Sequence, residues 1–176
     1  MIFLTSGSLK GFDRLVKSVD DLVERGVIQE SVFAQIGPGR YEPRHMEFVR
    51  FLPQDEFRQH ITEATLILSH VGVGTILLAD EAGIPVIAVP RLSRLGEHVN
   101  DHQTDTARSM EKEGLCLIAW DEGELVERIE QSRDWRPRER ENDLRLVEVL
   151  RRDILALGDP RTRSLRRRFR RQSRSS

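Results

Sequence analysis

Residues 65–90 read TLILSHVGVGTILLADEAGIPVIAVP, and their pattern decides the fold class. Thr65–Ser69 is a strand-like run built on Leu-Ile-Leu. The segment Ser69-His70-Val71-Gly72-Val73-Gly74-Thr75 is a loop, and a helix from about Gly74 to Ala82 stops at Gly83. Pro85–Val89 is then a further apolar strand. The same alternation extends in both directions. Upstream, Ile2–Thr5 reads as a buried strand. Phe12, Leu15, Val16, Val19, Leu22 and Val23 recur at helical spacing up to Gly26. Val32–Ile36 and Phe48–Leu52 read as strands, and Asp55–Thr62 as a short helix. Downstream come a helix over 97–113, a strand over 115–119 and a helix over 122–131. Strands alternating with helices at this spacing predict an α/β fold with a doubly wound, mostly parallel sheet.

Length and charge bound the rest. The chain has 176 residues, enough for one domain and short for two. Its apolar runs fall far below the roughly 20 residues that span a bilayer. Met1-Ile2-Phe3-Leu4 meets Thr5 with no basic stretch before it, which does not read as a signal peptide. A single cysteine, Cys116 in an apolar strand, reads as an inert core thiol and fits a reducing cytoplasm. The net charge of −1 conceals an asymmetry. Residues 161–176 contain eight Arg and no acid, whereas residues 1–160 hold 20 Lys and Arg against 29 Asp and Glu, a net −9. The expected organisation is a Rossmann-like domain over 1–135, a long charged helix within 136–158, and an Arg-rich tail over 159–176 too poor in apolar residues to fold alone. The helix has an apolar stripe of Leu144, Val147, Leu150, Ile154 and Leu157, which needs burial against this domain, a second copy or a partner.

In an open parallel sheet, ligands bind beyond the carboxyl ends of the strands. Three loops there have unusual composition: Thr5–Gly11, Ser69–Thr75, and Pro90–His98 leading into Asn100-Asp101-His102-Gln103. Gly72 and Gly74 let main-chain amides approach a ligand, and the following helix presents unpaired N–H groups, a combination that binds phosphate or diphosphate. The same residues also fit a tight turn with Thr75 as helix cap. Leu77 stands where a dinucleotide-binding GxGxxG would need glycine, and no GK[ST] occurs. His98 and His102 stand at metal-ligand spacing without an HExxH pattern, so no metal site is expected. Phe169 is the tail's only aromatic residue, which argues against nucleic acid.

The stretch SHVGVGTILLADEAGIPVIAVP followed by GEHVNDHQ resembles the donor-binding, C-terminal half of GT-B glycosyltransferases of family 28. That group includes the C-terminal domain of MurG and the small subunit of the eukaryotic dolichol-linked N-acetylglucosamine transferase. The pattern is most similar to small subunits of bacterial exopolysaccharide glycosyltransferases of the PssE kind. Four motifs appear in order: Phe12–Val16, the QxGxxxYxP run Gln35–Pro43, Ser69–Thr75 and Gly96–Gln103. The resemblance covers roughly residues 1–130. It implies a UDP-sugar donor whose diphosphate lies on Ser6, Gly7, Ser8, Gly72, Val73, Gly74 and Thr75. It further implies His70 near the phosphate or leaving oxygen, and sugar hydroxyls held by Asn100, Asp101, His102 and Gln103. His70 and Asp101 are the in-chain candidates for catalysis, and no cofactor is implied. In MurG and the dolichol-pathway subunit a glutamate expected to hold the ribose stands where this chain has Leu78. A one-lobed chain implies a second, membrane-attached subunit that holds a lipid-linked acceptor. The expected activity is inverting hexosyl transfer in exopolysaccharide synthesis at the inner face of the plasma membrane, with the Arg tail on anionic lipid. A merely solubilising tail and a non-catalytic partner-enhancing subunit are the alternatives. A GT-B nucleotide-sugar epimerase is disfavoured, since such enzymes carry both lobes on one chain.

Overall fold

The computed structural model describes residues 1–97 and 102–137, with the main chain alone at His102 and Glu122. The chain divides into Met1–Arg138 and Glu139–Ser176, and the architecture below is that of the first unit. The helix expected within 136–158 falls almost wholly, and the Arg-rich tail wholly, outside the described residues.

Six strands form one sheet: β1 (Ile2–Thr5), β2 (Val32–Gln35), β3 (Glu47–Val49), β4 (Leu66–His70), β5 (Val86–Val89) and β6 (Leu117–Ile118). All neighbours pair in parallel, in the order β3-β2-β1-β4-β5-β6. The helices are α1 (Asp13–Glu24), α2 (Gln54–Glu63), α3 (Val73–Glu81), α4 (His102–Lys112) and α5 (Leu125–Ser132). The expected doubly wound, Rossmann-like sheet is what forms. Its order reverses between β1 and β4, the place where open α/β sheets bind ligands beyond the carboxyl ends of their strands.

Alternation along each strand builds a core on each face. Ile2, Leu4, Val32, Ala34, Leu66, Leu68 and Ile87 are packed with Phe12, Leu15, Val16, Val19 and Leu22 at α1 and with Leu125 and Ile129 of α5. Burying such side chains contributes about 1.5–3 kcal/mol each, which outweighs the absent side-chain cap at Phe12. Phe3 belongs to the other face. Phe57 meets its ring edge-on at 5.4 Å, and His60 stacks 4.3 Å from Phe33.

β2 and β3 are parallel neighbours joined by a loop where a helix usually crosses over. Two α1 carboxylates hold that loop. Asp13 accepts the Arg40 N–H at 2.9 Å. Asp20, almost fully buried, accepts the Tyr41 hydroxyl at 2.7 Å and the N–H groups of Arg44 and His45 at 3.0 and 2.8 Å. Tyr41 of the QxGxxxYxP run thereby anchors the crossover.

Several boundaries differ from expectation for local reasons. The strand expected over Phe48–Leu52 ends at Val49, because the Leu52 N–H bonds the Gln35 side chain at 2.9 Å instead of a neighbouring strand. The helix expected from 97 is preceded by a 3-10 turn at Ser93–Leu95 that closes on Gly96 at φ +68°. The described part of that helix starts at His102. The helix expected at 122 begins as a 3-10 turn and becomes α-helical at Leu125.

Burial alone would raise the Asp20 pKa, but hydrogen bonds from Arg44, Tyr41 and His45 outweigh it and hold it below the ordinary 3.8. The stabilisation is therefore complete above pH 3.8 and disappears as pH falls through the folded-state value. Asp20→Asn should cost about 2 kcal/mol at neutral pH. In urea titrations between pH 3 and 7 the loss should shrink towards the acid end; a pH-independent loss would reject the ionic account.

Candidate functional site

The carboxyl ends of the central strands carry a buried polar layer. Thr5 and Gln35 stand in register, as do Thr5 and Ser69, and all three are buried. Thr5 Oγ1 accepts the Gly7 N–H at 3.3 Å and the Gln35 amide at 3.4 Å. The Ser69 hydroxyl, 0% exposed, has no hydrogen-bond partner at all among the described residues.

Above this layer three loops crowd together. The His70 imidazole lies between the main chains of Gly7 and Gly72. A Cβ on either glycine would come within 2.7 Å of His70 Cε1. Gly7 has φ +77°, so it is required twice over, by conformation and by space. A Cβ on Gly37 would collide with the Gly7 carbonyl, so the QxGxxxYxP loop also leans on the first-strand loop.

Gly72 is the cap residue of α3, and no side chain caps the helix. Thr75 is therefore the third helical residue rather than the cap. The first intrahelical bond runs from the Ile76 N–H to the Gly72 carbonyl at 3.1 Å, which leaves Val73, Gly74 and Thr75 N–H groups at the helix start without intrahelical partners. Gly74 is exposed, and a Cβ there would meet nothing within 4 Å. This end can receive an anion on main-chain donors and the positive end of the helix dipole.

The expected site residues fall into three groups. Gly7, His70, Gly72, Val73, Gly74 and Thr75 come together at the switch point. Ser6 is buried beneath them, its hydroxyl donating to the Gln35 carbonyl at 3.4 Å, while Ser8 is exposed on the loop's outer turn. Asn100 and Asp101 lie outside the described residues, and so does His98. His102 opens α4, and Gln103 accepts the Arg91 N–H on its side-chain oxygen at 3.0 Å. No group of three metal-ligating side chains occurs among the described residues. Cys116 is buried in the strand region, where its surroundings push its pKa up to about 12.

Composition did not single out the polar network that holds these loops. Arg91, only 4% exposed, reaches back from the β5 loop. It donates to the carbonyls of Ser6, Lys10 and Gly11 at 2.5, 2.7 and 2.7 Å, and its guanidinium lies 4.7 Å from the Phe12 ring centre. Burial draws its pKa down to about 10 against the opposing pull of Glu97. Arg14 makes a two-bonded pair with Glu97 at 2.7 and 2.9 Å, and Glu97 also accepts the Leu92 N–H at 3.0 Å. Lys10 bonds the Gly96 carbonyl. The one sequence signal for this network is the GEH segment, whose Glu97 is an internal tie. A separate hollow of 610 Å3, lined by Ile28, Thr65, Ile129, Arg133 and others, lies by the amino ends of β1 and β4, away from this site.

A sequence profile of the glycosyltransferase family 28 C-terminal domain matches residues 1–151. The chain belongs to this family. It is 28% identical over 121 residues to the UDP-N-acetylglucosamine transferase subunit ALG13 of Mus musculus, covering 64% of this chain and 10% of that protein. Among solved structures, Acinetobacter baumannii MurG superposes with a TM-score of 0.51 at 22% identity, covering 74% of this chain and 39% of MurG. Os79 of O. sativa, solved in complex with UDP, gives 0.55 at 17% identity, covering 76% and 32%. These likenesses are of fold, and the neighbours are GT-B glycosyltransferases. The family 28 chain thus spans 10% of the mouse relative and 32–39% of the two solved structures. Leu78 borders a 170 Å3 groove shared with Arg58, Ile61, Thr62, Glu81 and Ala82.

The two loop glycines should separate in stability experiments. Gly72→Ala must displace His70 and should lower the melting temperature, at a cost of about 1–3 kcal/mol. Gly74→Ala meets open space and should be neutral or stabilising by up to about 1 kcal/mol. Equal melting temperatures for the two would contradict the crowding at His70.

Proposed function

We propose that this chain is the donor-binding subunit of a two-component, UDP-sugar-dependent glycosyltransferase. The observation that carries the reading is the uncapped, glycine-lined start of α3 beside His70 at the switch point, in a chain of family 28. The diphosphate would rest on the Val73, Gly74 and Thr75 amides, with Gly72 keeping the approach open. Ser8 and the first-strand loop would close over it, while Asn100, His102 and Gln103 meet the sugar. Helix-dipole and amide donors would stabilise the charge that develops on the departing UDP. Transfer would be inverting: the acceptor hydroxyl attacks the anomeric carbon as the bond to UDP breaks. The hydroxyl proton passes to a base on the partner, with Asp101 and His70 as the in-chain substitutes.

The acceptor would be held by a membrane-attached partner and be lipid-linked, with exopolysaccharide as the product. Support for an external wall comes from the open edge itself, where Leu9 is 98% exposed and Leu95 is 52% exposed on neighbouring loops. The chain would work in the cytoplasm at the inner membrane face, its eight tail arginines each contributing on the order of 1 kcal/mol near anionic lipid. A second reading, a subunit that enhances its partner without turnover, is favoured by Leu78 in place of the ribose acid.

Calorimetry with UDP tests the donor role. Wild type should bind UDP. Gly74→Asp, which has room for its side chain, should fold normally and lose binding because its carboxylate occupies the anion's place. No binding by wild type at millimolar UDP, with the partner present, would end the donor reading; binding without sugar transfer would favour the non-catalytic one. Deleting residues 161–176 should abolish co-sedimentation with anionic vesicles at low salt, and unchanged pelleting would reject the tail's membrane role.

A further inference from the structure

We propose that Arg91 is the positioning residue of the donor site, a buried strut that holds the first-strand loop in its diphosphate-binding shape. The inference rests on the UDP-binding reading above and adds to it a residue that does not touch the ligand.

Three observations converge on Arg91. The hydrogen bonds of its guanidinium to described residues all go to main-chain carbonyls of one loop, those of Ser6, Lys10 and Gly11. A trans peptide points its N–H opposite to its C=O, so fixing these three oxygens fixes the planes of the peptides that follow them. The loop's own side chains bury little: Ser8, Leu9 and Lys10 are exposed, and Gly7 and Gly11 supply none. Secondly, Arg91 is itself placed from both sides. The Gln103 side chain accepts its N–H, and its guanidinium lies over the Phe12 ring. Thirdly, the ties beside it fasten the β5 loop to α1 and to the same first-strand loop. Arg14 reaches both Glu97 and the Pro90 carbonyl, the latter at 3.0 Å, and Lys10 reaches Gly96.

An arginine suits this task for a chemical reason. Its planar fork presents five donors and can meet three carbonyls at once, whereas a lysine ammonium is a compact point charge on a flexible stem. Burying the cation is costly, and the three carbonyl bonds with the ring contact offset that cost. The arrangement keeps the loop from collapsing onto the α3 start when no ligand is there. A donor diphosphate would then meet a pre-formed surface rather than have to order it.

The test compares UDP with uridine, which lacks the phosphates, on the full-length chain. Affinities are measured by calorimetry for wild type, Arg91→Lys and Arg91→Gln, well below each melting temperature. Ile129→Ala, in the α5 core by the amino ends of β1 and β4, serves as a control that destabilises the fold away from this loop. Both Arg91 variants should weaken UDP by about tenfold or more while uridine affinity stays within about twofold. Ile129→Ala should leave the UDP-to-uridine ratio as in wild type. Should Arg91→Gln fail to fold, Arg91→Lys carries the comparison. An unchanged ratio in folded Arg91→Lys, or an equal change in Ile129→Ala, overturns the positioning role while leaving UDP binding intact. Absence of UDP binding by wild type removes the donor reading and this inference together.

Discussion

His70 can lie where it does only because Gly7 and Gly72 have no Cβ. That single steric fact draws the loops after β1 and β4 to within van der Waals reach of one imidazole, at the place where the sheet order reverses. Everything proposed for the site depends on it. If the loops stood further apart, the α3 start would face open solvent and the Ser6–Gly11 turn would have nothing to close against.

Two kinds of force hold the arrangement, and they do different work. The apolar cores on both faces fix the sheet and the helices, at a few kcal/mol per large side chain. They do not fix the loops, which have few buried side chains of their own. Loop geometry is set by polar ties: Asp20 and Asp13 on the crossover, Gln35 between β1 and the end of β3, Arg91 between the first and fifth loops, Glu97 between the fifth loop and α1. Each tie joins residues far apart in the chain, and most of them are buried or half-buried, where a lost partner is costly. The rim they support remains exposed and partly apolar at Leu9 and Leu95, as suits an edge that a second wall completes.

Much of this was legible in advance. Strand and helix positions followed from apolar period, and the parallel sheet followed from their alternation. Of the three loops singled out by composition, those after β1 and β4 meet at His70, the described part of the one after β5 reaches them through Arg91, and the QxGxxxYxP loop joins as a fourth. The Gly72–Thr75 segment read as an anion-binding helix start because glycine and a following helix are local properties. The Arg91 role was not legible, since an arginine in a loop most often faces water. Glu97 and Gln35 were visible as motif letters without a function. The strand expected to reach Leu52 ended early because a side chain from β2 took its N–H, an event outside any local window.

The sequence by itself determined the α/β class, the doubly wound sheet, the membership-bearing motifs and the split between an acidic body and a basic tail. These depend on short-range periodicity and on composition, which need no knowledge of neighbours. Only the tertiary structure decided that Gly72 is required by crowding while Gly74 stands open, and that Arg91 faces three carbonyls rather than solvent. The reason is distance along the chain. Residues 7, 37, 70 and 91 meet because the sheet brings four strand ends to one edge, and no pattern within a single element encodes what a side chain will find there.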